Sequence, residues 1–296
     1  MLDFRHETFL AICSSSSFTK AAEMLHITQP AVSQHIKYLE DHYGCKLLDT
    51  SNRKISLTPE GEVLKDFATT VYSDSQHLKE SFTRIKKEAV HFSFGATLSI
   101  GEYVMPTILS RLLVDCPDIS FHMTVANTKS LLEQLNHGDL DFLLIEGLFD
   151  KTHYETSLFR RENFIPVCSP SAEYAYRTIP FESLRASRLI LREEGSGTRE
   201  IFEHILEDRN YSLKQFHQII EIGNMSAIKE MVSNNLGITF LFEVAAQKEI
   251  KEGKLAKIDI LDFAEEREFY FVTLKNSFFR DQYVEIFQRL KELSKE

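Results

Sequence analysis

Ser17 to Glu40, SFTKAAEMLHITQPAVSQHIKYLE, reads as two short helices separated by a tight turn. The first starts at a Ser17 cap and runs through Ala21, Ala22 and Leu25, the paired alanines letting another helix come close. His26 and Ile27 make the turn. Thr28 has the chemistry of an N-cap and Pro30 needs no backbone donor in a first turn, so a second helix begins there. Val32, Ile36 and Leu39 recur at helical spacing as one apolar stripe, which leaves Gln29, Pro30, Ser33, Gln34 and Lys37 on the other side. Such a row suits base edges in the major groove. The same periodicity also fits an ordinary helical hairpin whose polar side is only solvated.

The wider pattern separates these readings. Phe9, Ser17, Phe18, Ala21, Ala22, Leu25, Thr28 to Ser33, Ile36, Leu39 and Glu40 resemble the N-terminal signature of LysR-type transcriptional regulators. The likeness continues through Gly44, Leu47, Leu48, Arg53, Leu57, Thr58, Pro59 and Gly61. The resemblance implies an α+β multidomain chain. A winged helix-turn-helix DNA-binding domain would fill residues 1–58 and a linker or dimerisation helix 59–89. A two-lobed α/β effector-binding domain of periplasmic-binding-protein type would take 90–296, with lobe 1 at about 90–161 and 267–296 and lobe 2 at about 162–266. It further implies base contacts from Thr28, Gln29, Pro30, Ser33, Gln34 and Lys37, and a minor-groove contact from Arg53 at the wing tip. Many family members carry Arg after the serine matching Ser33. Here the residue is Gln34, followed by His35. Gln pairs with adenine where Arg prefers guanine, so the operator cannot be copied from a relative.

Outside that stretch, an opening helix from Asp3 to Ser14 would pack Phe9 and Ile12 beneath the helix pair, and Leu47 to Leu57 reads as a two-stranded wing. Thr58 and Pro59 then start a long helix in which Val63, Phe67, Val71, Leu78, Phe82 and Ile85 form a seam, with Leu64 and Ala68 beside it. Arg84, Lys86 and Lys87 form a solvated terminus. The resemblance makes this seam a pairing surface in a homodimer or homotetramer.

From Val90 strands alternate with helices: strands at His91 to Gly95, Ile119 to Val125 and Leu140 to Ile145, and helices at Gly101 to Val114 and from Asn127 and Thr128 to Gly138. Ile165 to Cys168, Leu189 to Leu191, Ile219 to Ile222, Ile238 to Leu241 and Phe269 to Leu274 are further strands before a final helix. The alternation predicts a parallel sheet covered by helices, with a ligand cleft between two lobes. Ala96 to Ser99 and Arg192 to Arg199, REEGSGTR, each join a strand to a helix, where hydroxyls and amides converge at a positive helix end. Plain helix caps with no ligand fit either stretch alone. The resemblance assigns effector contacts to Thr97, Ser99, Thr128 and the residues around Thr198, namely Gly195 and Ser196; apart from the resemblance, Asn224, Met225 and Ser226 form a further edge. REEGSGTR is similar to the stretch in family members controlling sulfur assimilation or carbon fixation, which implies a small oxyanion or organic acid as effector.

Charge bounds these expectations. The 296 residues carry a net charge of −10, unfavourable for a polyanion, yet up to Thr58 six Lys and Arg residues balance six Asp and Glu. A neutral head bearing Lys20, Lys37, Lys46, Arg53 and Lys54 on one side binds DNA when two heads act together. Cys13, Cys45, Cys116 and Cys168 lack CxxC spacing and the histidines lack HExxH spacing, so neither metal nor cofactor is expected beyond the effector. Asp3, Arg5 and Glu7 argue against a secretory signal, and with no long apolar run the expected location is the cytoplasm. Expected partners are a dyad-symmetric double-stranded DNA site and, from the resemblance, RNA polymerase. The rival readings are an enzyme using Glu146, Arg161, Glu193 and Glu194 on the α/β body, or a solute-binding protein. No Walker loop, nucleophile elbow or metal spacing gives those groups a reaction.

Overall fold

The computed structural model describes residues 2–50, 55–84 and 90–295. By packing, the chain divides into two compact units. The first is Met1–Glu88 with the short segments Gln134–Asp139 and Leu274–Asp281, and the second is the remainder.

The first unit opens with α1 (Phe4–Ser15), α2 (Phe18–Met24) and α3 (Gln29–Tyr43). Each boundary has a local cause. The Asp3 carboxylate accepts from the Arg5 amide, the Ser17 hydroxyl accepts from the Lys20 amide, and His26 turns the chain at φ 54°. Gly44 ends α3 in the left-handed conformation at φ 67°. Thr28 has the extended backbone of an N-cap, but its side chain makes no cap hydrogen bond, which departs from the expected chemistry. Phe9, Ile12, Ala21, Ala22, Val32, Ile36 and Leu39 form one buried core, closed by Leu47, Leu48 and Leu64. The wing is a minimal antiparallel pair, β1 (Leu48–Asp49) and β2 (Ser56–Leu57). Arg53 and Lys54 lie outside the described residues, as do Ile85, Lys86, Lys87 and the Arg84 side chain.

Helix α4 (Pro59–Arg84) is anchored at its start by Thr58. The Thr58 hydroxyl donates to the Lys46 carbonyl at 2.6 Å and accepts from the Gly61 amide at 3.0 Å, so one side chain ties the wing to the helix cap. Thr58→Ala should therefore cost about 1–2 kcal/mol, seen as a lower denaturation midpoint of the full chain, with Thr58→Ser restoring most of it. Leu64 and Ala68 are buried, whereas Val63 (72% exposed), Phe67, Leu78 and Phe82 stand out from the chain. Further along, Asp74 accepts from the Ser277 hydroxyl at 2.6 Å and the Phe278 amide at 2.8 Å, and the Thr70 hydroxyl donates to the Lys275 carbonyl at 3.0 Å.

The α/β part comprises β3 (His91–Ala96), α5 (Leu98–Tyr103), α6 (Met105–Asp115), β4 (Ser120–Val125), α7 (Thr128–His137), β5 (Phe142–Ile145) and β6 (Tyr154–Cys168). It continues through β7 (Thr178–Ile179), β8 (Arg188–Leu191), α8 (Gly197–Asp208), β9 (Gln218–Glu221), α9 (Met225–Ser233), β10 (Thr239–Phe242) and α10 (Glu243–Lys251). Then come β11 (Ala256–Lys257), β12 (Asp259–Ile260), β13 (Glu265–Leu274) and α11 (Arg280–Leu293). Strand order in the main sheet is β10-β6-β13-β5-β3-β4. β3 pairs in parallel with β4 and β5, and β8 pairs in parallel with β9. The expected alternation of strands and helices is thus present, with two differences. β6 and β13 are long strands lying side by side, so Ile165 to Cys168 is only the end of a 15-residue strand. The helix expected over Gly101 to Val114 begins earlier, after Thr97, and breaks at Val104. Pro106 lacks the N–H that would continue α5 into α6. Gly101 is needed not to open a helix but for close packing, since a Cβ there would meet Val125 Cγ2 at 2.7 Å.

Phenylalanine supplies much of the second core. Phe142 stacks on Phe94 at 5.0 Å and on Phe271 at 4.7 Å, and Phe202 stacks on Phe240 at 4.2 Å. The four cysteines are unpaired, and burial pushes the thiols of Cys13 and Cys168 up to about 12 and about 11. Among the described residues no helix is long and apolar enough to cross a membrane, and no group of His, Cys, Asp and Glu side chains could hold a metal ion.

Candidate functional site

On α3 the apolar stripe faces inward and the polar row outward. Val32, Ile36 and Leu39 are buried, Thr28, Gln29, Pro30, Gln34 and Lys37 are exposed, and Ser33 is half-buried. Gln29 Nε2 donates to Ser33 Oγ at 2.9 Å, one turn along, so two of the expected base-reading groups share one geometry. His35, next to Gln34, points elsewhere. Its Nδ1 lies 2.9 Å from Thr8 Oγ1 and its ring packs edge-on against Phe4. Burial, with the nearby Arg5 charge, lowers its pKa and favours a neutral ring that braces α1 against α3. Of the expected cations, Lys20 and Lys37 are exposed, but Lys46 pairs with Glu40 at 2.6 Å, which spends part of its charge inside the head.

A second constellation lies within the α/β unit, where strand ends meet helix starts. Thr97 follows β3 and caps α5, Thr128 opens α7, and Ser196 caps α8 ahead of Gly197 and Thr198. Neither Thr97 nor Ser196 uses its side chain on its own helix. Thr97, Ser99, Thr128, Ser196 and Thr198 are all buried, and what most of them surround is Glu146, at the end of β5 and itself buried. Thr97 donates to Glu146 Oε2, Thr198 donates to Oε1 at 3.3 Å, and Thr128 donates to the Glu146 carbonyl at 3.0 Å. Ser99 Oγ and Thr198 Oγ1 approach to 3.4 Å. Burial pushes the Glu146 carboxyl above its ordinary range, against the opposing hydrogen bond from Thr97 and the charge of Arg192.

Two glycines permit this closeness. A Cβ on Gly197 would fall 2.5 Å from the Glu146 carbonyl oxygen, and one on Gly147, at φ 105°, would fall 2.7 Å from Gly197 Cα. Beside the cluster, Arg192 is buried and forks onto Glu193, Nε to Oε2 at 2.7 Å and Nη2 to Oε1 at 2.8 Å. Gly195 takes φ 84° and would bring a Cβ within 3.8 Å of Lys129. Ser226 is the exception among the expected effector residues. It is exposed and hydrogen-bonds the Tyr103 hydroxyl rather than joining Glu146, while Asn224 is spent capping α9 and Met225 is core.

Sequence reasoning left Glu146 and Arg192 out of the effector site. The available signal was position: Glu146 ends the apolar run Leu140 to Ile145 as Thr97 ends β3, at the carboxyl end of neighbouring parallel strands where ligands gather.

Residues 87–293 match the LysR substrate binding domain, and residues 5–62 match the bacterial regulatory helix-turn-helix protein, lysR family. The chain is 28% identical to the transcriptional regulator CysL of Bacillus subtilis over 268 residues, covering 90% of this chain and 89% of CysL. Among solved structures, an OxyR variant of Corynebacterium glutamicum gives a TM-score of 0.64 at 22% identity, covering 99% of this chain and 91% of that one. The regulatory domain of Synechocystis CcmR, solved in complex with 2-PG, gives 0.63 at 19% identity, covering 70% of this chain and 98% of that one.

Proposed function

We propose a function on one premise: this chain belongs to the LysR family of transcriptional regulators. It is a DNA-binding regulator with an effector-binding domain. Our reading goes further in three respects. Thr28, Gln29, Pro30, Ser33, Gln34 and Lys37 of paired heads read a dyad-symmetric site, with Arg53 in the adjacent minor groove. The seam on α4, left exposed at Val63, Phe67, Leu78 and Phe82, pairs the subunits as a dimer or tetramer. The effector is a small oxyanion or organic acid held among Thr97, Ser99, Thr128, Ser196, Thr198 and Gly195, and RNA polymerase is the downstream partner.

The observation that carries the effector reading is the ring of buried hydroxyls at the meeting of three strand-to-helix junctions. That the CcmR regulatory domain was solved with 2-PG supports a small ligand in this fold. Ser99 and Thr198 stand 3.4 Å apart, so an effector oxygen entering between them competes with their mutual contact. We read a parting of α5 from α8 on binding as the motion passed to the heads. Two of the groups that an enzymatic reading would draw on are engaged in ion pairs. Arg161 holds Glu268 at 3.0 Å and Glu193 holds Arg192.

Glu146 gives the site a pH dependence with a definite sign. The ionised carboxylate repels an oxyanion, whereas the protonated carboxyl donates to it. Because burial raises its pKa, the donating form appears at higher pH than for an exposed glutamate. Effector affinity should therefore rise as pH falls, and Glu146→Gln should flatten that dependence in titrations across pH. Thr198→Ala should blunt the effector response while DNA affinity stays within about twofold, because it removes one hydroxyl of the ring and touches no head residue. If gel shifts showed this variant losing DNA yet responding normally to effector, the division of labour would be wrong.

A further inference from the structure

We propose that Arg192 is the cationic anchor for the effector oxyanion and that Glu193 occupies it until the effector arrives. This rests on the oxyanion reading above and adds a displaced internal carboxylate to it. Arg192 follows β8 at 4% exposure, with two nitrogens of its guanidinium committed to the two oxygens of Glu193 at 2.7 and 2.8 Å. A planar fork meeting two coplanar oxygens is the geometry with which arginine holds sulfate, phosphate or a carboxylate. Glu193 thus presents, from within the chain, the group an effector would bring. Its carboxylate is the more accessible partner, at 29% side-chain exposure against 4% for Arg192.

Glu193 also reaches the residue ahead of α7. Asn127 spends its Oδ1 on the Ser130 amide at 2.9 Å and hydrogen-bonds Glu193 with the rest of its side chain. Burial pushes the Glu193 carboxyl up, but the Arg192 hydrogen bonds and charge, aided by Asn127, hold it below the usual carboxylate range, so it is present as the anion. The turn that carries Glu193 leads straight into the hydroxyl ring, the Ser196 amide donating to the Glu193 carbonyl at 3.2 Å, and the Arg192 charge is felt at Glu146. A buried guanidinium stripped of its carboxylate is costly, so only a ligand bringing its own negative charge exchanges with Glu193. Each exchange releases Asn127, and with it one hydrogen bond joining the residue ahead of α7 to the turn between β8 and α8. The site therefore selects bidentate oxyanions over neutral ligands and monodentate halides, and converts their binding into a loosening of that contact.

The test is calorimetric titration of the full chain with sulfate and with inorganic phosphate, at ionic strength held constant with chloride. Glu193→Gln, which keeps the shape but not the charge, should bind both anions about tenfold more tightly than the wild type. Arg192→Lys, which keeps the charge but not the fork, should bind them about tenfold more weakly, with thermal midpoints reporting that both variants fold. If Glu193→Gln binds the anions no better than the wild type, the proposal is overturned. Thr198→Ala separates this idea from the one beneath it. Anion affinity that falls in Thr198→Ala but not in Arg192→Lys leaves the hydroxyl ring as the site and removes Arg192 from it. Affinity that falls in Arg192→Lys and not in Thr198→Ala keeps the anchor and overturns the hydroxyl reading.

Discussion

Alanine at Gly197 should destabilise the effector-binding unit by about 2–4 kcal/mol, the sum of an overpacking cost of about 1–3 and the loss of a buried hydrogen bond worth about 1. The added Cβ would meet the Glu146 carbonyl oxygen at 2.5 Å and Thr128 Oγ1 at 2.9 Å, so one methyl collides with both ends of the Thr128 to Glu146 hydrogen bond. Neither neighbour yields easily. The carbonyl belongs to the end of β5 and Thr128 to the first turn of α7, while Gly147 closes the other side. A loss of that size should lower the thermal midpoint by about 4–16 °C for a unit of this length. Gly253→Ala is the control. It sits at φ 70° with nothing within 4 Å of a Cβ, so it bears the left-handed backbone strain alone, about 1–2 kcal/mol. Equal midpoints for the two variants would mean that the contact at Gly197 is not tight, and the hydroxyl ring would lose its frame.

That contact also shows where a sequence stops being legible. The head could be read in advance because its determinants are local: a Ser17 cap, a helical period through Val32, Ile36 and Leu39, a left-handed Gly44. The hydroxyls of Thr97, Ser99 and Thr198 were legible for the same reason, lying where a strand period gives way to a helical one. Glu146 was not, because nothing in a pattern of spacings distinguishes a carboxyl at a strand end in water from one buried beneath two threonines. The first half of β6, Tyr154 to Asn163, was not legible as a strand because its surface is polar. It is a strand through its pairing with β13, where Arg161 faces Glu268. Gly101 misled for a related reason. Its small size answers to Val125, a neighbour distant in sequence, and not to the start of its own helix.

Removing the side chain of Gln34 should weaken specific DNA binding by about 1–3 kcal/mol, a loss of about 5- to 150-fold, while leaving non-specific binding nearly unchanged. Gln34 is exposed near the start of α3, whose inward face is fixed by Val32 and Ile36, so alanine there costs the head no core contact. What is lost is a bidentate amide, and the loss should concentrate at one base position on each half-site, with Gln34→Arg shifting the preference there from adenine towards guanine. Ser33→Ala acts less directly. It frees Gln29 from its 2.9 Å tether and should relax specificity by a smaller factor. Lys20→Ala, at an exposed head cation outside the base-reading row, gives the contrast that makes the assignment testable. A residue that only neutralises phosphate should weaken specific and non-specific binding alike and reduce the salt dependence by about one counterion. Anisotropy titrations on a specific and a scrambled duplex at two salt concentrations distinguish these behaviours. If Gln34→Ala lowered affinity for both duplexes equally, its amide would be contacting backbone rather than base. The outward row of α3 would then position the head without reading the sequence, and specificity would have to come from the deformability of the DNA between the two heads.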